Sequence, residues 1–126
     1  MIAATVLVVD DDPVIQTLLR LNFEMEGYRV LLAADGVEAL DRTRSEKPNI
    51  VILDVMMPKM DGLQVATTLK ADADTADIPI VMLSAKAQTS DIVAGRATGA
   101  EGYVTKPFDP LLLVSQVATL IDRHRS

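Results

Sequence analysis

The chain has 126 residues and no cysteine, which excludes disulfides and zinc–thiolate sites, and its 49% apolar fraction predicts one domain, residues 1–126, with its own core. The net charge of −6 argues against direct nucleic-acid binding, which needs a clustered basic surface. No apolar run approaches the ~18 residues of a membrane span, and the first residues lack a basic signal segment, so we expect a cytoplasmic protein that does not bind membranes.

The first predicted elements are a strand and a helix. Residues 5–9 form an apolar run that ends in three aspartates. Asp12 followed by Pro13 is typical of an N-cap and a first helical position, so we expect a helix from there to about residue 26, closed by Gly27. Apolar residues at helical spacing predict that this helix lies on a sheet, with an outer polar stripe formed by Gln16, Arg20 and Glu24.

The middle of the chain predicts two further strands and two helices. Residues 28–33 are less apolar than the first run and predict a strand near an edge of the sheet. Asp35 can cap a second helix, with Glu38 returning the bond as in a capping box. The continuous apolar run Ile50–Asp54 predicts a strand buried on both faces, and Asp61 can cap a third helix.

The last third of the chain continues the alternation. Residues 80–83 predict a buried fourth strand, and residues 88–98 predict a weak helix with Gly95 in its middle. Gly102–Thr105 predict a short last strand, and Asp109 before a proline begins a helix to about residue 123. Strands that alternate with helices predict an α/β fold, in which a doubly wound parallel sheet is covered on both faces. The narrow apolar face of the weak helix would consist of Ile92, Val93 and Ala97.

Polar side chains stand at the carboxyl ends of four predicted strands. They are Asp10, Asp11, Asp54, Ser84 and Lys106. These ends meet at one edge of a parallel sheet, so we expect the five side chains to converge. Clustered carboxylates need a cation, and Mg²⁺ prefers oxygen ligands of this kind. Together with an ammonium and a hydroxyl group, such a site is suited to a phosphoryl group.

These residues and their neighbours resemble the receiver domains of two-component response regulators, the CheY-like domains. The resemblance covers residues 5–122, and it implies a five-stranded flavodoxin-like (βα)5 sheet of order 2-1-3-4-5. It also implies a signalling domain of a phosphorelay, not an enzyme. The four motifs that carry it are Val8-Val9-Asp10-Asp11-Asp12, Leu53-Asp54-Val55-Met56-Met57-Pro58-Lys59-Met60-Asp61-Gly62, Leu83-Ser84-Ala85 and Tyr103-Val104-Thr105-Lys106-Pro107-Phe108.

The resemblance implies a role for each acidic residue. Asp54 is the acceptor of a phosphoryl group from the phosphohistidine of a sensor histidine kinase or a phosphotransfer protein. Mg²⁺ is bound directly by Asp11, by Asp54 and by the backbone carbonyl of Met56. Asp10 acts on the metal through water.

The resemblance further implies how the signal leaves the site. Lys106 contacts the phosphoryl group, while Ser84 and Tyr103 form a switch that alters the face of the fourth helix, fifth strand and fifth helix. The recipient is a downstream effector protein or an output domain missing from this chain. We expect a monomer or a phosphorylation-dependent dimer. Glu101 stands where DNA-binding regulators that dimerise through this face tend to have aspartate, which weakens the case for that dimer.

Several assignments have alternatives. The first aspartates also fit the D-x-D-x-[TV] pattern of haloacid-dehalogenase-type phosphohydrolases, with Asp10 as nucleophile, although Asp54 would then have no role. Tyr103 is equally consistent with packing at the rim of the core. Leu111 and Leu112 of the last helix would form either an exposed docking patch or a cover for the sheet edge.

Overall fold

The computed structural model describes residues 3–57 and 60–125. None of the helices within these ranges is long and apolar enough to cross a membrane. Strands and helices alternate along the chain as predicted. Their bounds are β1 Thr5–Val9, α1 Pro13–Met25, β2 Arg29–Ala33, α2 Gly36–Glu46, β3 Ile50–Asp54, α3 Gly62–Ala71, β4 Ile80–Ser84, α4 Thr89–Ala97, β5 Gly102–Thr105 and α5 Pro110–Arg125.

The five strands form one parallel sheet in the order β2-β1-β3-β4-β5, which confirms the predicted flavodoxin-like topology. Every residue of β3 and β4 is buried, whereas the outer strands β2 and β5 are partly exposed. A central parallel strand is covered on both faces and therefore consists of a continuous apolar run. The less apolar sequence of β2 follows from its position at the edge, as predicted.

The core lies in two layers, one on each face of the sheet. On one face, α2 and α3 contribute buried residues that include Ala39, Val65 and Leu69. On the other face, α1 and α5 contribute Phe23 and Val117 among others. Successive strand residues point to opposite faces, so the central strands supply both layers at once. Because helices pack on both faces, the strands are held in place, and with them the carboxyl edge of the sheet where the predicted site residues lie.

Aspartate side chains begin four of the helices. Each accepts a hydrogen bond from a backbone N–H in the first turn, which would otherwise have no partner. The α3 cap is a reciprocal capping box, in which the Gln64 side chain also accepts from the Asp61 N–H. Because Asp12 serves as a cap, the first two aspartates of its run remain for other roles. The capping residues are Asp12, Asp35, Asp61 and Asp109.

The orientation of α1 differs from the prediction. Gln16, expected on the outer polar stripe, faces the sheet, and its amide donates to the carbonyl oxygens of Asp10 and Ala33 at 2.6 and 3.2 Å. Those carbonyl groups lie at strand ends and need donors, which an inward amide supplies. A row of apolar residues is left outside instead. We call this row the α1 apolar stripe: Val14, Leu18, Leu21 and Met25, which are 71%, 37%, 51% and 83% exposed.

Close contact at a glycine attaches α4 to the sheet. The predicted apolar face is wrong, because Val93 and Ala97 are exposed, and Gly95 is the buried residue of this helix. A Cβ atom at Gly95 would lie 2.6 Å from Cδ2 of Tyr103 and 3.1 Å from Sδ of Met82. Gly95 therefore permits an approach to β5 that any larger residue would prevent, at a cost in helix propensity.

The last helix buries its predicted inner residues, including Leu113, Val117 and Ile121. Leu111 and Leu112 are 70% and 63% exposed. The alternative in which these two leucines cover the sheet edge is therefore wrong.

Candidate functional site

The carboxyl edge of the sheet brings the predicted acidic residues together. Asp10 and Asp11 follow β1, and Asp54 ends the adjacent strand β3. One ligand atom from each of the three carboxylates lies within 4.8 Å of the others. Asp10 and Asp54 are buried, whereas Asp11 is exposed to solvent. The sequence thus located this cluster correctly from strand ends alone.

Asp54 is held in a defined orientation. Its Oδ1 accepts a hydrogen bond from the N–H of Met56 at 3.1 Å, and its Oδ2 lies 3.6 Å from Nζ of Lys106. Burial, followed by the negative charge of Asp10, raises the pKa of Asp54 to about 6, against the opposing effects of the Met56 N–H and of Lys106. Its carboxylate therefore ionises only near neutral pH when no metal is bound, unlike a solvated aspartate.

Lys106, which follows β5, contributes its positively charged ammonium group to the cluster. Its Nζ donates to Oδ2 of Asp10 at 3.0 Å, closer than its approach to Asp54. Burial disfavours the charged form of Lys106, but the hydrogen bond and charge of Asp10, with the charge of Asp54, outweigh burial and raise the pKa of Lys106. The side chain therefore remains an ammonium group at physiological pH.

Asp10 is the most constrained member of the cluster. In addition to Lys106, its Oδ1 accepts the N–H of Asp12 at 2.9 Å, and its backbone oxygen accepts from Gln16. Gln16 is a supporting residue that sequence reasoning missed. Its spacing from Leu19 and Phe23 places it on the buried face of α1, but the sequence alone does not identify that face, because α1 has a second apolar row.

The charge of the cluster fits a divalent cation. Three carboxylates and one ammonium group leave net negative charge in a largely buried place, and the pKa of Asp54 is raised by burial first and by the charge of Asp10 second. Carboxylate oxygens are the ligands that hard divalent cations take. Direct contacts of Asp11, Asp54 and the Met56 carbonyl with such a cation, and water-mediated contact of Asp10, remain predictions.

Ser84 and Tyr103 both contact the loop between β4 and α4. Ser84 is buried at the end of β4, and its Oγ accepts the N–H of Lys86 at 3.0 Å. A hydroxyl group that accepts one bond still has its proton to donate. The Tyr103 hydroxyl donates to the backbone oxygen of Lys86 at 2.8 Å, while its ring packs against one core layer. The roles of both residues as a switch remain predictions.

An open cleft of about 380 Å³ adjoins the acidic cluster. It lies between the loops that follow β1, β3 and β4. Gly62 helps to shape it, because a Cβ atom there would collide with the backbone oxygen of Asp54, so glycine is required where α3 begins. The residues that line the cleft are Asp11, Val55, Met56, Met57, Asp61, Leu63 and Lys86.

Residues 6–118 match the family described as the response regulator receiver domain. The chain belongs to this family. The match agrees with the acidic cluster at the carboxyl edge and confirms the resemblance seen in the sequence. It favours the phosphoacceptor role and does not favour the alternative of a haloacid-dehalogenase-type phosphohydrolase with Asp10 as nucleophile.

Among the curated proteins that this chain resembles are transcriptional regulators. The chain is 44% identical over 118 residues to the alkaline phosphatase synthesis transcriptional regulatory protein PhoP of Bacillus subtilis, covering 94% of this chain and 48% of PhoP. It is 42% identical over 118 residues to the DNA-binding dual master transcriptional regulator RpaA of Synechocystis, covering 94% of this chain and 49% of RpaA. The chain therefore spans about half the length of these curated relatives.

Solved structures give the same result. The signal receiver domain of a signal transduction histidine kinase from Syntrophus aciditrophicus superposes with a TM-score of 0.90 at 31% identity, over 96% of this chain and 92% of that chain. The chemotaxis response regulator CheY4 of Vibrio cholerae superposes with a TM-score of 0.89 at 32% identity, over 94% and 99% of the two chains. Receiver domains of response regulators are signalling domains, and the absence of enzymatic activity from this chain stays a prediction.

Proposed function

We propose that Asp54 accepts a phosphoryl group from the phosphohistidine of a sensor histidine kinase or a phosphotransfer protein. The observation that carries this proposal is the position of one buried carboxylate at the end of a central strand, 3.6 Å from the ammonium group of Lys106. Anionic oxygens of a phosphoryl group need such a cation, and ligands of open α/β sheets bind at this edge. The raised pKa of Asp54 also sets this residue apart as a functional candidate.

The transfer exchanges one bond to phosphorus for another. A carboxylate oxygen of Asp54 attacks the phosphorus atom while the nitrogen–phosphorus bond of the donor breaks, and the bonding electrons stay with the imidazole. Lys106 neutralises oxygens of the group in transfer, and the Ser84 hydroxyl has a proton available to donate to one of them. These side chains are held in place beforehand, so the reaction needs little rearrangement of the site.

Mg²⁺ is the proposed cofactor. Asp11, Asp54 and the backbone carbonyl of Met56 would hold it, with Asp10 acting through a water molecule. When bound, it supplies positive charge that neutralises phosphoryl oxygens. The three carboxylates suit a hard cation of this kind, and their mutual repulsion is the reason that the site requires one.

The α1 apolar stripe is the proposed contact for the phosphoryl donor. It begins at Val14, two residues after the cap Asp12 and beside the acidic cluster, and extends along the helix to Met25. A protein that brings a phosphohistidine to Asp54 must cover the loop between β1 and α1, and therefore meets this stripe. Exposed apolar rows that border a functional site are typical of protein interfaces.

We further propose that residues 1–126 form one domain that acts in the cytoplasm, where kinases and effectors can reach it. Its signal passes through the face formed by α4, β5 and α5 to an effector protein or to an output domain outside this chain. Support comes from Ser84 and Tyr103, which both contact the loop that leads into α4.

Intact-mass measurement with acetyl phosphate and magnesium chloride tests this function. We expect one phosphoryl adduct on the wild-type chain, none on Asp54→Asn, and none when EDTA removes the metal. The control is Asp41→Asn, which alters an exposed aspartate of α2 and should leave the adduct unchanged. An adduct that survives Asp54→Asn would disprove the assignment, and its location at Asp10 would favour the phosphohydrolase alternative.

A further inference from the structure

A second cavity, of about 280 Å³, lies at the β5 edge of the sheet. Among the described strands β5 pairs with β4 alone, so its outer side has no neighbouring strand. The cavity lies over this side, with walls formed by residues of α4 and α5, and none of the three clustered carboxylates lines it. We call it the β5 groove, and its floor consists of Val81, Gly102, Tyr103 and Val104.

Gly102 leaves the floor of the β5 groove open. It pairs with Val81 of β4, and a Cβ atom on Gly102 would meet the two methyl groups of Val81 at 3.4 and 3.6 Å, which is ordinary contact. Its φ angle also lies outside the left-handed region that favours glycine. Neither crowding nor backbone strain therefore requires glycine here, although glycine weakens a strand because it has no side chain to pack. Such a glycine in a strand is typical of a place that a ligand approaches closely.

Two arginines line the β5 groove. Arg96 comes from the last turn of α4, and Arg123 comes from the C-terminal part of α5. Both are exposed, and neither forms an ion pair with a carboxylate in the described part of the chain. A guanidinium group presents several N–H donors in one plane, which suits the oxygens of a carboxylate or a phosphate. In a chain with a net charge of −6, two unpaired cations beside one groove indicate an anionic occupant.

Glu101 also lines the β5 groove, but its carboxylate is already used elsewhere. Its Oε2 accepts from Nζ of Lys70 at 2.8 Å, and its Oε1 accepts the N–H of Ile80 at 2.9 Å. Since the Lys70 ammonium compensates this charge, Glu101 does not neutralise Arg96 or Arg123. The groove therefore keeps an excess of positive charge.

The size and the remaining surface of the β5 groove suit a small molecule. Val104, Leu120 and the ring of Tyr103 give it apolar surface, and apolar surface with a few polar groups is typical of small-molecule sites. One turn of a helix, about 10 Å wide and about 5.4 Å long, is larger than the groove, so a docked helix fits it less well. Hydrogen-bonding side chains of α5 complete the wall: Ser115, Gln116 and Thr119.

We propose that the β5 groove binds a small organic anion. An apolar ring would lie over Gly102, and a carboxylate or phosphate group would be bound by Arg96 and Arg123. The inference goes beyond the phosphorylation of Asp54 and does not depend on it, because the groove shares no lining residue with the acidic cluster. The bound molecule would contact α4, β5 and α5 at once.

Titration of isotope-labelled, unphosphorylated protein with naphthoate, followed by amide chemical shifts, tests the proposal. We expect shifts to change at the residues of the β5 groove, with a dissociation constant on the order of 0.1–1 mM for a ligand of about a dozen heavy atoms. A parallel titration with naphthyl phosphate shows which anionic group binds more tightly. Naphthamide has the ring without the charge, and inorganic phosphate has the charge without the ring. Each should bind at least about tenfold more weakly.

Variants test the two parts of the site separately. Gly102→Val fills the floor and should weaken binding of naphthoate by at least about tenfold, whereas Gly102→Ala should have a smaller effect. Arg96→Gln and Arg123→Gln should each weaken it by about tenfold, because each removes a charge-assisted hydrogen bond. The matched control is Arg20→Gln, which removes an exposed arginine of α1 and should bind as the wild type does.

Several outcomes would overturn the inference. They are shift changes along the α1 apolar stripe in place of the β5 groove, equal binding of naphthamide, and wild-type binding by Gly102→Val. A dimer at the concentration of the titration, with no shift change on adding naphthoate, would show that a second copy covers the groove and would also overturn it.

The proposed phosphorylation is tested independently of this site. Gly102→Val should form the same adduct with acetyl phosphate as the wild type, and absence of the adduct from both proteins would contradict the proposed function alone. Thermal unfolding of Gly102→Val should remain cooperative. If the valine prevents folding, Gly102→Ala decides, because its Cβ makes only ordinary contacts and binding equal to the wild type would then count against the groove.

Discussion

At the scale of single residues, the acidic cluster places two buried carboxylates beside a single ammonium group. Asp10 and Asp54 are both almost completely buried and share the ammonium group of Lys106, which lies nearer to Asp10. A buried carboxylate with incomplete compensation shifts its pKa upward instead of remaining charged. Burial at the end of β3, followed by the negative charge of Asp10, therefore raises the pKa of Asp54 to about 6, and the more distant Lys106 offsets only part of this effect.

The raised pKa predicts that Asp54 destabilises the metal-free protein at neutral pH. The pKa is about 6 in the folded state against 3.8 for a free side chain, so the folded state binds more protons between these values. Stability from this residue is therefore complete below pH ~4 and is lost as pH rises through ~6, by about 3 kcal/mol in total. Asp54→Asn should lack this loss, so its stability advantage in EDTA should grow over that range. Urea unfolding of both proteins across this pH range measures it, and a constant difference would contradict the prediction.

Removal of the Lys106 ammonium group should destabilise the metal-free protein. Lys106→Met leaves Asp10 buried with no cationic partner, so the free energy of unfolding in EDTA should fall by about 1–3 kcal/mol. Magnesium should restore part of this loss by supplying positive charge to the same carboxylates. Denaturant titrations with and without magnesium measure both effects. Lys86→Met, which alters an exposed lysine at the cleft, is the matched control and should change stability little.

The residues of the site were predictable to the extent that strand ends determine them. Asp54, Ser84 and Lys106 each follow an apolar run, and parallel strands bring such positions together. Gln16 was not predicted, because its role depends on how α1 is rotated about its axis. The backbone contacts of Lys86 to two hydroxyl groups were not predictable, because they connect positions that the sequence leaves unrelated.

At the scale of elements, the apolar periodicity of α1 predicted the helix but not which of its faces is buried. The helix has two apolar rows, and the sequence offers no reason to bury one before the other. The structure buries the row that contains Leu19 and Phe23, beside Gln16, and leaves the α1 apolar stripe outside. The carbonyl groups of Asp10 and Ala33 at the strand ends need hydrogen-bond donors, and the inward Gln16 supplies them. Helical periodicity gives no information about this requirement, so it does not predict the rotation of α1. Helix ends were predicted more accurately, because a cap depends only on adjacent residues.

The α1 apolar stripe should be needed for transfer from a protein donor and unnecessary for transfer from a small molecule. Leu21→Glu places a charge in the middle of the stripe, where the leucine is 51% exposed, so folding should be little affected. We expect labelling by the cognate phosphohistidine protein to slow by at least about tenfold, the cost of burying one unpaired charge, and labelling by acetyl phosphate to stay unchanged. Val93→Glu is the matched control on α4, where the valine is 60% exposed. Equal slowing of both reactions would argue against a docking role.

At the scale of the whole molecule, the alternation of strands and helices predicted the parallel sheet covered on both faces, and the family resemblance predicted its strand order. The two ends of this sheet differ in the residues that they carry. The carboxyl edge carries the acidic cluster. Near the opposite edge, Lys70 donates to Glu101 at 2.8 Å and to the backbone oxygens of Ala76 and Ile78. Glu101 also accepts the N–H of Ile80, so its carboxylate is used within the domain. The carboxylate of Glu101 therefore has a structural role that the sequence did not indicate.

Tyr103 connects the loop after β4 with α4, because its hydroxyl donates to the backbone oxygen of Lys86 and its ring lies against Gly95. We therefore expect phosphorylation of Asp54 to affect α4 as well as the loops of the site. α4 has one buried residue in its described length and weak helix propensity, so its attachment to the sheet is easily altered. Beryllofluoride with magnesium mimics a phosphoryl group on Asp54, and hydrogen exchange compares the protein with and without it. We expect protection to change across residues 84–105, because Ser84 would bond to the mimic while still accepting from Lys86. Asp54→Asn should show no change, since it lacks the acceptor carboxylate. A change confined to the loop after Asp54 would show that α4 takes no part in the response.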